Sequence, residues 1–302
     1  MKKYLFAAGL IACIHGGVYS AQTGAQFLKI DTDARLSGMA SAGAVSANGI
    51  SALNYNPAGL SSIKGPEVAF SHSKWLMDAS HDFAGFGLDL KNNGRGGLKL
   101  GVGITRLSSG EFNGRSENRE ASGGYTSYEQ AASLGFALGG IGGAIKYVQG
   151  HIADEHAATW AVDMGAKTNL SRLPVAVGFG VRNLGPGLKY ISQRDPLPLS
   201  ANAGFTVAAF PGVTLAFNVN RYVYDKRTIL SAGTEYAMLN AEGGLGFALR
   251  GGYGLMAATA DDGSNGLSMG AGLTALGATL DYAVTPQTGL GAVQRITLKK
   301  KF

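Results

Sequence analysis

The chain alternates between apolar and small or polar residues with a period of two, and repeats this pattern many times. In 173–184, Val175, Val177, Phe179 and Val181 are interleaved with Ala176, Gly178, Gly180 and Arg182. Val213, Leu215, Phe217 and Val219 stand in the same relation to Thr214, Ala216, Asn218 and Asn220, and Leu98, Leu100, Val102 and Ile104 to Lys99, Gly101, Gly103 and Thr105. Successive side chains of a strand point to opposite faces, so each segment has one greasy face and one wet or crowded face. Comparable segments lie at about 66–76, 81–91, 96–108, 128–139, 141–152, 156–169, 173–184, 199–209, 212–223, 228–238, 243–254, 266–275, 277–287 and 291–302. Most run to about 10–12 residues, longer than the usual globular strand and close to the length of a tilted strand that crosses a bilayer. An even number of antiparallel strands closes without an open edge in lipid. The pattern therefore predicts an all-β fold, a transmembrane antiparallel barrel of about 14 strands.

The connections read as an alternation of short turns and longer polar stretches, the longer ones at 109–127, 185–198 and 255–265. Outer-membrane barrels place short turns on the periplasmic side and longer loops outside. Trp75, Tyr128, Trp160, Tyr190, Tyr222, Tyr224, Tyr236 and Tyr282 fall near strand ends, where interfacial girdles are expected. The last segment closes on Phe302, in phase with Ile296 and Leu298. A terminal aromatic on such a strand resembles the signal by which outer-membrane barrels are recognised, which implies the barrel-insertion machinery as a partner and Phe302 as its contact.

The N-terminus sets the compartment. Lys2 and Lys3 precede an apolar stretch from Tyr4 to Ile14, too short to span a bilayer as a helix, and Ser20–Ala21 offers a small-residue cleavage site. Residues 1–20 are therefore expected to be a signal peptide; the alternative is lipoprotein processing at Cys13, the chain's single cysteine. Either way, no later cysteine is available for a disulfide or a thiolate metal site. No subsequent stretch reaches the length of an apolar spanning helix.

Composition narrows the function. Glycine accounts for 47 of 302 residues, against an average usage of about 7 %, without a collagen period. Gly101, Gly103, Gly178 and Gly180 fall on the inward phase of their strands, where small residues leave room inside a barrel. The formal charge of +6 draws on Lys2, Lys3 and the run Lys299–Lys301, with the other basic residues scattered singly, so no nucleic-acid partner is indicated. His15, His72, His81, His151 and His156 form no zincin motif, and Asp261–Gly266 lacks the ligand spacing and terminal Glu of an EF-hand. No dinucleotide or P-loop fingerprint occurs. No catalytic residue, metal or cofactor is expected.

Residues 21–65 break the alternation. They are rich in Ala, Gly and Ser, and Asn56–Pro57 favours a turn, so short helices and turns in a confined space are expected, with the barrel occupying 66–302. The runs Gly24–Ile30, Ala34–Met39 and Leu53–Leu60, the last containing Asn56–Pro57–Ala58–Gly59, resemble the PorV/PorQ family of outer-membrane proteins, related to the FadL-type transporters of hydrophobic compounds. That resemblance covers nearly the whole chain. It implies an N-terminal hatch inside a 14-stranded barrel, with Asn56, Pro57, Ala58 and Gly59 at the hatch constriction. It also implies transport of hydrophobic small molecules across the outer membrane of a Gram-negative-type bacterium, surrounded by outer-membrane lipid. The alternative it carries is a non-enzymatic component or cargo shuttle of a type IX-like secretion system, with secreted proteins as partners. A soluble secreted β-protein is the third reading that the alternation alone permits.

Overall fold

A computed structural model describes residues 23–90, 97–115, 121–239, 245–255, 266–287 and 291–302. The expected signal peptide with Ser20 and Ala21, Cys13, and the 261–265 stretch lie outside the described residues.

Fourteen strands form one closed antiparallel barrel. They are β1 (Glu67–Lys74), β2 (Ser80–Asp89), β3 (Lys99–Arg115), β4 (Ala121–Leu138), β5 (Ile141–Ile152), β6 (Glu155–Asn169) and β7 (Val175–Leu184). After a two-residue ribbon, β8 (Leu188–Lys189) with β9 (Arg194–Asp195), come β10 (Ser200–Phe210), β11 (Val213–Tyr222), β12 (Arg227–Leu239), β13 (Gly246–Gly254), β14 (Leu267–Ala275), β15 (Ala278–Gln287) and β16 (Gly291–Lys301). Sequential neighbours pair throughout, and β1 closes the barrel on β16 from Glu67↔Lys301 to Lys74↔Gln294.

The period-two pattern maps onto the two faces of the wall. Phe179, Phe217, Val102 and Ile104 are exposed on the outside, while Ala216 and Thr105 are buried within. A closed wall satisfies its backbone polar groups between strands, and its outer face is predominantly apolar, so the barrel is that of a protein spanning the outer membrane of a Gram-negative-type bacterium. Two-residue turns at Gly139–Gly140, Pro211–Gly212 and Leu276–Gly277 lie at the end where β1 starts and β16 finishes. Gly212 and Gly277 take φ of 80° and 74° there, a left-handed conformation that glycine adopts without a Cβ penalty.

Three expectations are corrected. Residues 109–127 are not a polar loop in the main: β3 and β4 continue through most of this stretch, pairing out to Arg115↔Ala121 past a register shift between Ser108 and Glu111, so this hairpin projects beyond its neighbours. The β5–β6 connection at the same end is only Ala153–Asp154, so long and short connections do not strictly alternate. Tyr190 and Tyr222 do not join an outer girdle. Tyr222 has the inward phase of Asn218 and Asn220 and is buried, and Tyr190 packs on an apolar cluster inside the wall. Trp160, Tyr224, Tyr236 and Tyr282 do face outward.

Residues 23–65 contain only short helical turns: 3-10 turns at Gln26–Lys29, Ile50–Asn54 and Pro57–Ser62, and single α-turns at α1 (Ala34–Ser37) and α2 (Gly43–Ser46). Such elements are too short to be stable alone and depend on tertiary contacts. They touch strands around the circumference, α1 meeting β14–β16, α2 meeting β7, β10 and β11, and the 57–62 turn meeting β3–β6. The segment therefore lies against the inner faces of the wall.

Candidate functional site

The sequence places its candidate site at Asn56–Gly59, and the structure shows what fixes these residues. Asn56 is buried; its Oδ1 accepts from Ala58 N at 3.1 Å, an N-cap for the 57–62 turn, with Pro57 suited to the first helical position. Its Nδ2 donates to Ala44 O at 2.6 Å. The wall makes way for this corner. A Cβ on Gly165 would strike the Asn56 side chain, and one on Gly142 would lie 2.6 Å from Pro57 O. Ala58 and Gly59 are likewise buried. The four residues are thus seated on β5 and β6, and none of them lines the lumen cavity described below.

Two kinds of contact hold the rest of the segment. On the β1–β5 side the seat is apolar: Ile50, Leu53, Leu60 and Ile63 pack against Ala69, Phe83, Ala137 and Ala144. On the β12–β16 side it is ionic. Arg35 donates from Nε and Nη2 to the two oxygens of Glu235, both at 2.7 Å, and from Nη1 to Ser46 O at 2.8 Å. Glu235 also accepts from Arg250 Nε at 2.6 Å, and Arg250 Nη1 reaches Asp281 at 2.7 Å. Asp33 caps α1 through Arg35 N at 2.8 Å and pairs with Lys299. Burial pushes the Asp33 carboxyl up, but Lys299, Ser51 and Arg35 more than offset this and hold it down at about 2. Arg295 Nη1 donates to Ser37 Oγ at 2.8 Å, and Ala34 N donates to Thr297 Oγ1 at 2.9 Å. Tyr55 Oη accepts from Thr32 N and Asp33 N; burial, with Asp31 and Asp33 nearby, raises this phenol well above its ordinary value.

Between these seats lies a cavity of about 170 Å³. Its lining is mixed, with the polar side chains of Asn202, Asn218, Asn220, Arg182, Ser231 and Ser268 from the wall facing Asn54 and Tyr55 of the segment. Arg182 Nη1 donates to Asn54 O at 2.7 Å and Asn202 Nδ2 to Tyr55 O at 3.2 Å. A second feature stands on the projecting β3–β6 wall. Phe27, Leu188 and Leu197, all fully buried, pack on Ala131, Val148, Ala157 and Ala161, with Leu107 and Tyr190 at the margin. This apolar cluster lies toward the mouth of the barrel opposite the end where β1 starts and β16 finishes.

The sequence reasoning missed the ionic seat. Its signal was available, since Glu235, Arg250 and Asp281 occupy inward positions of strands whose outward positions are apolar, and a charge there demands an internal partner. Among the described residues, no group of three His, Cys, Asp or Glu side chains is arranged to hold a metal ion.

A closed 14-stranded antiparallel barrel with an inner N-terminal segment defines the class, by fold, as an outer-membrane β-barrel. Solved structures with this fold include the toluene transporter TodX of P. putida, with a TM-score of 0.60 at 12 % identity over 89 % of this chain and 99 % of that one. The CymD monoaromatic hydrocarbon channel matches at a TM-score of 0.58 and 13 % identity, over 90 % and 98 % of the two chains. A Pseudomonas aeruginosa FadL homologue matches at 0.53 and 11 %, over 94 % and 99 %. No protein-family model and no curated protein sequence matches the chain.

Proposed function

We propose that the protein is a non-enzymatic transport barrel that admits hydrophobic compounds through the outer membrane, with residues 23–65 as the element that closes the lumen. The observation that carries this reading is the apolar cluster around Phe27, Leu188 and Leu197 at the mouth, directly joined to the inner segment through Phe27. An apolar solute arriving there replaces contacts among these side chains with its own, at little cost in desolvated polar groups. The hydrocarbon channels that share the fold support the same substrate class. Asn56–Gly59 is the fixed corner of the closing element rather than its moving part, because the Asn56 amide donates to Ala44 O of α2 and to Ala166 O and Phe179 O of the wall, and the Pro57–Ala58 backbone packs on Gly142. Phe302, exposed at the end of the strand that closes the barrel, is the proposed insertion signal.

The experiment is uptake of labelled toluene and of a long-chain fatty acid by a deletion strain complemented with wild type, Phe27→Asp or Leu188→Asp. Restored uptake with wild type and reduced uptake with either variant is expected, with all three barrels still showing heat-modifiable gel mobility. Equal uptake by the uncomplemented strain for every apolar compound tried overturns the reading. Recovery of secretion components with the solubilised protein in that case favours the cargo-shuttle alternative.

A further inference from the structure

The outer face of the wall carries a polar row across β1–β5. Register aligns His72 of β1 with Asp82 of β2, Asp82 with Arg106 of β3, Arg106 with Gln130 of β4, and Gln130 with Gln149 of β5. In the other direction the same row continues as Ile296, Tyr282, Ala271 and Leu249. His72 Nδ1 lies 2.6 Å from Asp82 Oδ1, with these side chains 65 % and 46 % exposed. Asp82 also accepts from Ser80 Oγ at 3.2 Å, and Gln130 donates to Gln149 at 2.7 Å. The Arg106 guanidinium rests on the Tyr128 ring, 4.4 Å from its centroid. The carboxylate of this cluster is thus turned to His72 and Ser80, while Arg106 is positioned by an aromatic face that leaves its N–H edge open. Lys74, exposed one outward position beyond His72, adds a second cation.

Below the polar row, toward the end where β1 starts and β16 finishes, runs a shallow groove of about 520 Å³ floored by Phe70, Ala84, Ile104, Ile296 and Leu298, with His72, Asp82, Arg106 and Gln130 at its upper edge. Charged side chains on the lipid face of a barrel are destabilising unless they are near the interface and matched by a charge of the other sign. A trough for an acyl chain, headed by Arg106, Gln130 and the His72–Asp82 pair with Lys74 beyond them, has the polarity of one lipid standing in the leaflet opposite the end where β1 starts and β16 finishes. We propose that this groove on β1–β4 is a binding site for a phosphate-bearing lipid of the outer leaflet, Arg106 and Lys74 taking the phosphate and the groove taking one acyl chain. The guanidinium edge offers phosphate two parallel charge-assisted hydrogen bonds, which a neutral headgroup cannot match. This site lies on the outside of the wall and is independent of what passes through the lumen.

The test is native mass spectrometry of the full-length barrel purified in maltoside detergent and titrated with diphosphorylated lipid A, with phosphatidylglycerol, with an uncharged diacylglycerol, or with inorganic phosphate. Wild type should retain one phosphorylated lipid per barrel, with at least a tenfold preference over diacylglycerol, and inorganic phosphate should not displace it. Arg106→Gln should reduce retention by about tenfold, Lys74→Gln by less, and a remote outward control, Tyr282→Phe, should leave it unchanged. Heat-modifiable mobility of each variant separates loss of the site from loss of the fold. Equal retention by Arg106→Gln and wild type, or equal retention of diacylglycerol, overturns the proposal. Displacement by inorganic phosphate at matched concentration also overturns it, since the site would then be one for a free anion.

Discussion

The inner segment is seated on two walls of opposite character. Against β1–β5 it buries Ile50, Leu53, Leu60 and Ile63 in an apolar cluster, while against β12–β16 it presents Asp33 and Arg35 to Lys299 and Glu235. Apolar contacts are non-directional and indifferent to pH, whereas a buried ion pair is stable only while both partners keep their charge and geometry. One wall therefore acts as a permanent seat and the other as a fastening that responds to conditions. On the proposed reading of residues 23–65 as a closing element, the apolar side would be its pivot and the ionic side its release.

The comparison breaks most sharply at Arg35. Arg35→Ala leaves Glu235 buried with Arg250 alone and removes the tie to Ser46, and losing one partner of a buried pair costs about 3–5 kcal/mol. Limited proteolysis of the detergent-solubilised protein should show residues 23–65 becoming cleavable while the strands stay protected. Unchanged protection would show that the ionic wall contributes little. On the other wall, Leu53→Ala or Leu60→Ala removes a fully buried side chain at a cost of about 2–5 kcal/mol. Here the thermal transition should fall, with no change in its salt dependence; a salt-dependent loss would contradict the division between the walls.

An intermediate effect is expected between pH 4 and 2. The Asp33 carboxyl is held down at about 2 in the folded protein, against an ordinary value of 3.8. A depressed carboxylate contributes stability that is fully present above the unfolded value and is lost as pH falls through the folded one. The shift corresponds to about 2 kcal/mol at neutral pH. Proteolytic protection of the segment, read with an acid-active protease, should therefore fall from pH 4 to pH 2 in wild type. Asp33→Asn should show reduced protection at neutral pH and a flatter profile, and parallel profiles would remove Asp33 as the cause.

How much of this was legible in the sequence follows from what a period of two encodes. Alternation assigned Phe179 and Phe217 outward and Gly178 and Ala216 inward, because a side chain's face is fixed by parity alone. The same parity held Tyr222 inward, and assigning it to a girdle let aromatic type override phase. The β3–β4 hairpin was hidden because Ser-, Gly- and Asn-rich strands that clear the membrane need no greasy face. In the Arg35–Glu235–Arg250–Asp281 chain, Glu235 and Arg250 are cross-strand partners of one hairpin, but Arg35 meets them only because the N-terminal segment folds back inside the barrel. Asn56–Pro57 was legible as a turn, but its reach to Ala44 and to the wall at Gly165 depends on where the segment lies.

The finest test of the inner packing uses two neighbouring glycines of β7. A Cβ at Gly178 would lie 2.8 Å from Ala44 O and 3.1 Å from Val45 Cγ2, both in α2 of the segment. At Gly180 its nearest neighbours would be wall atoms, Asn202 Oδ1 at 3.1 Å and the backbone oxygen of Met164 at 3.2 Å. Gly178→Ala must displace backbone that is itself tied to Asn56 Nδ2, whereas Gly180→Ala presses on wall atoms and reaches the segment only through the single Asn202 Nδ2 bond to Tyr55 O. Overpacking a fixed contact costs about 1–3 kcal/mol, so Gly178→Ala should lower the segment's protease protection roughly fivefold or more, and Gly180→Ala by clearly less. Equal sensitivity at both positions would mean that β7 itself, rather than its contact with α2, sets the response. A loss confined to Gly178→Ala would locate the α2 contact as a third attachment, between the apolar and the ionic walls.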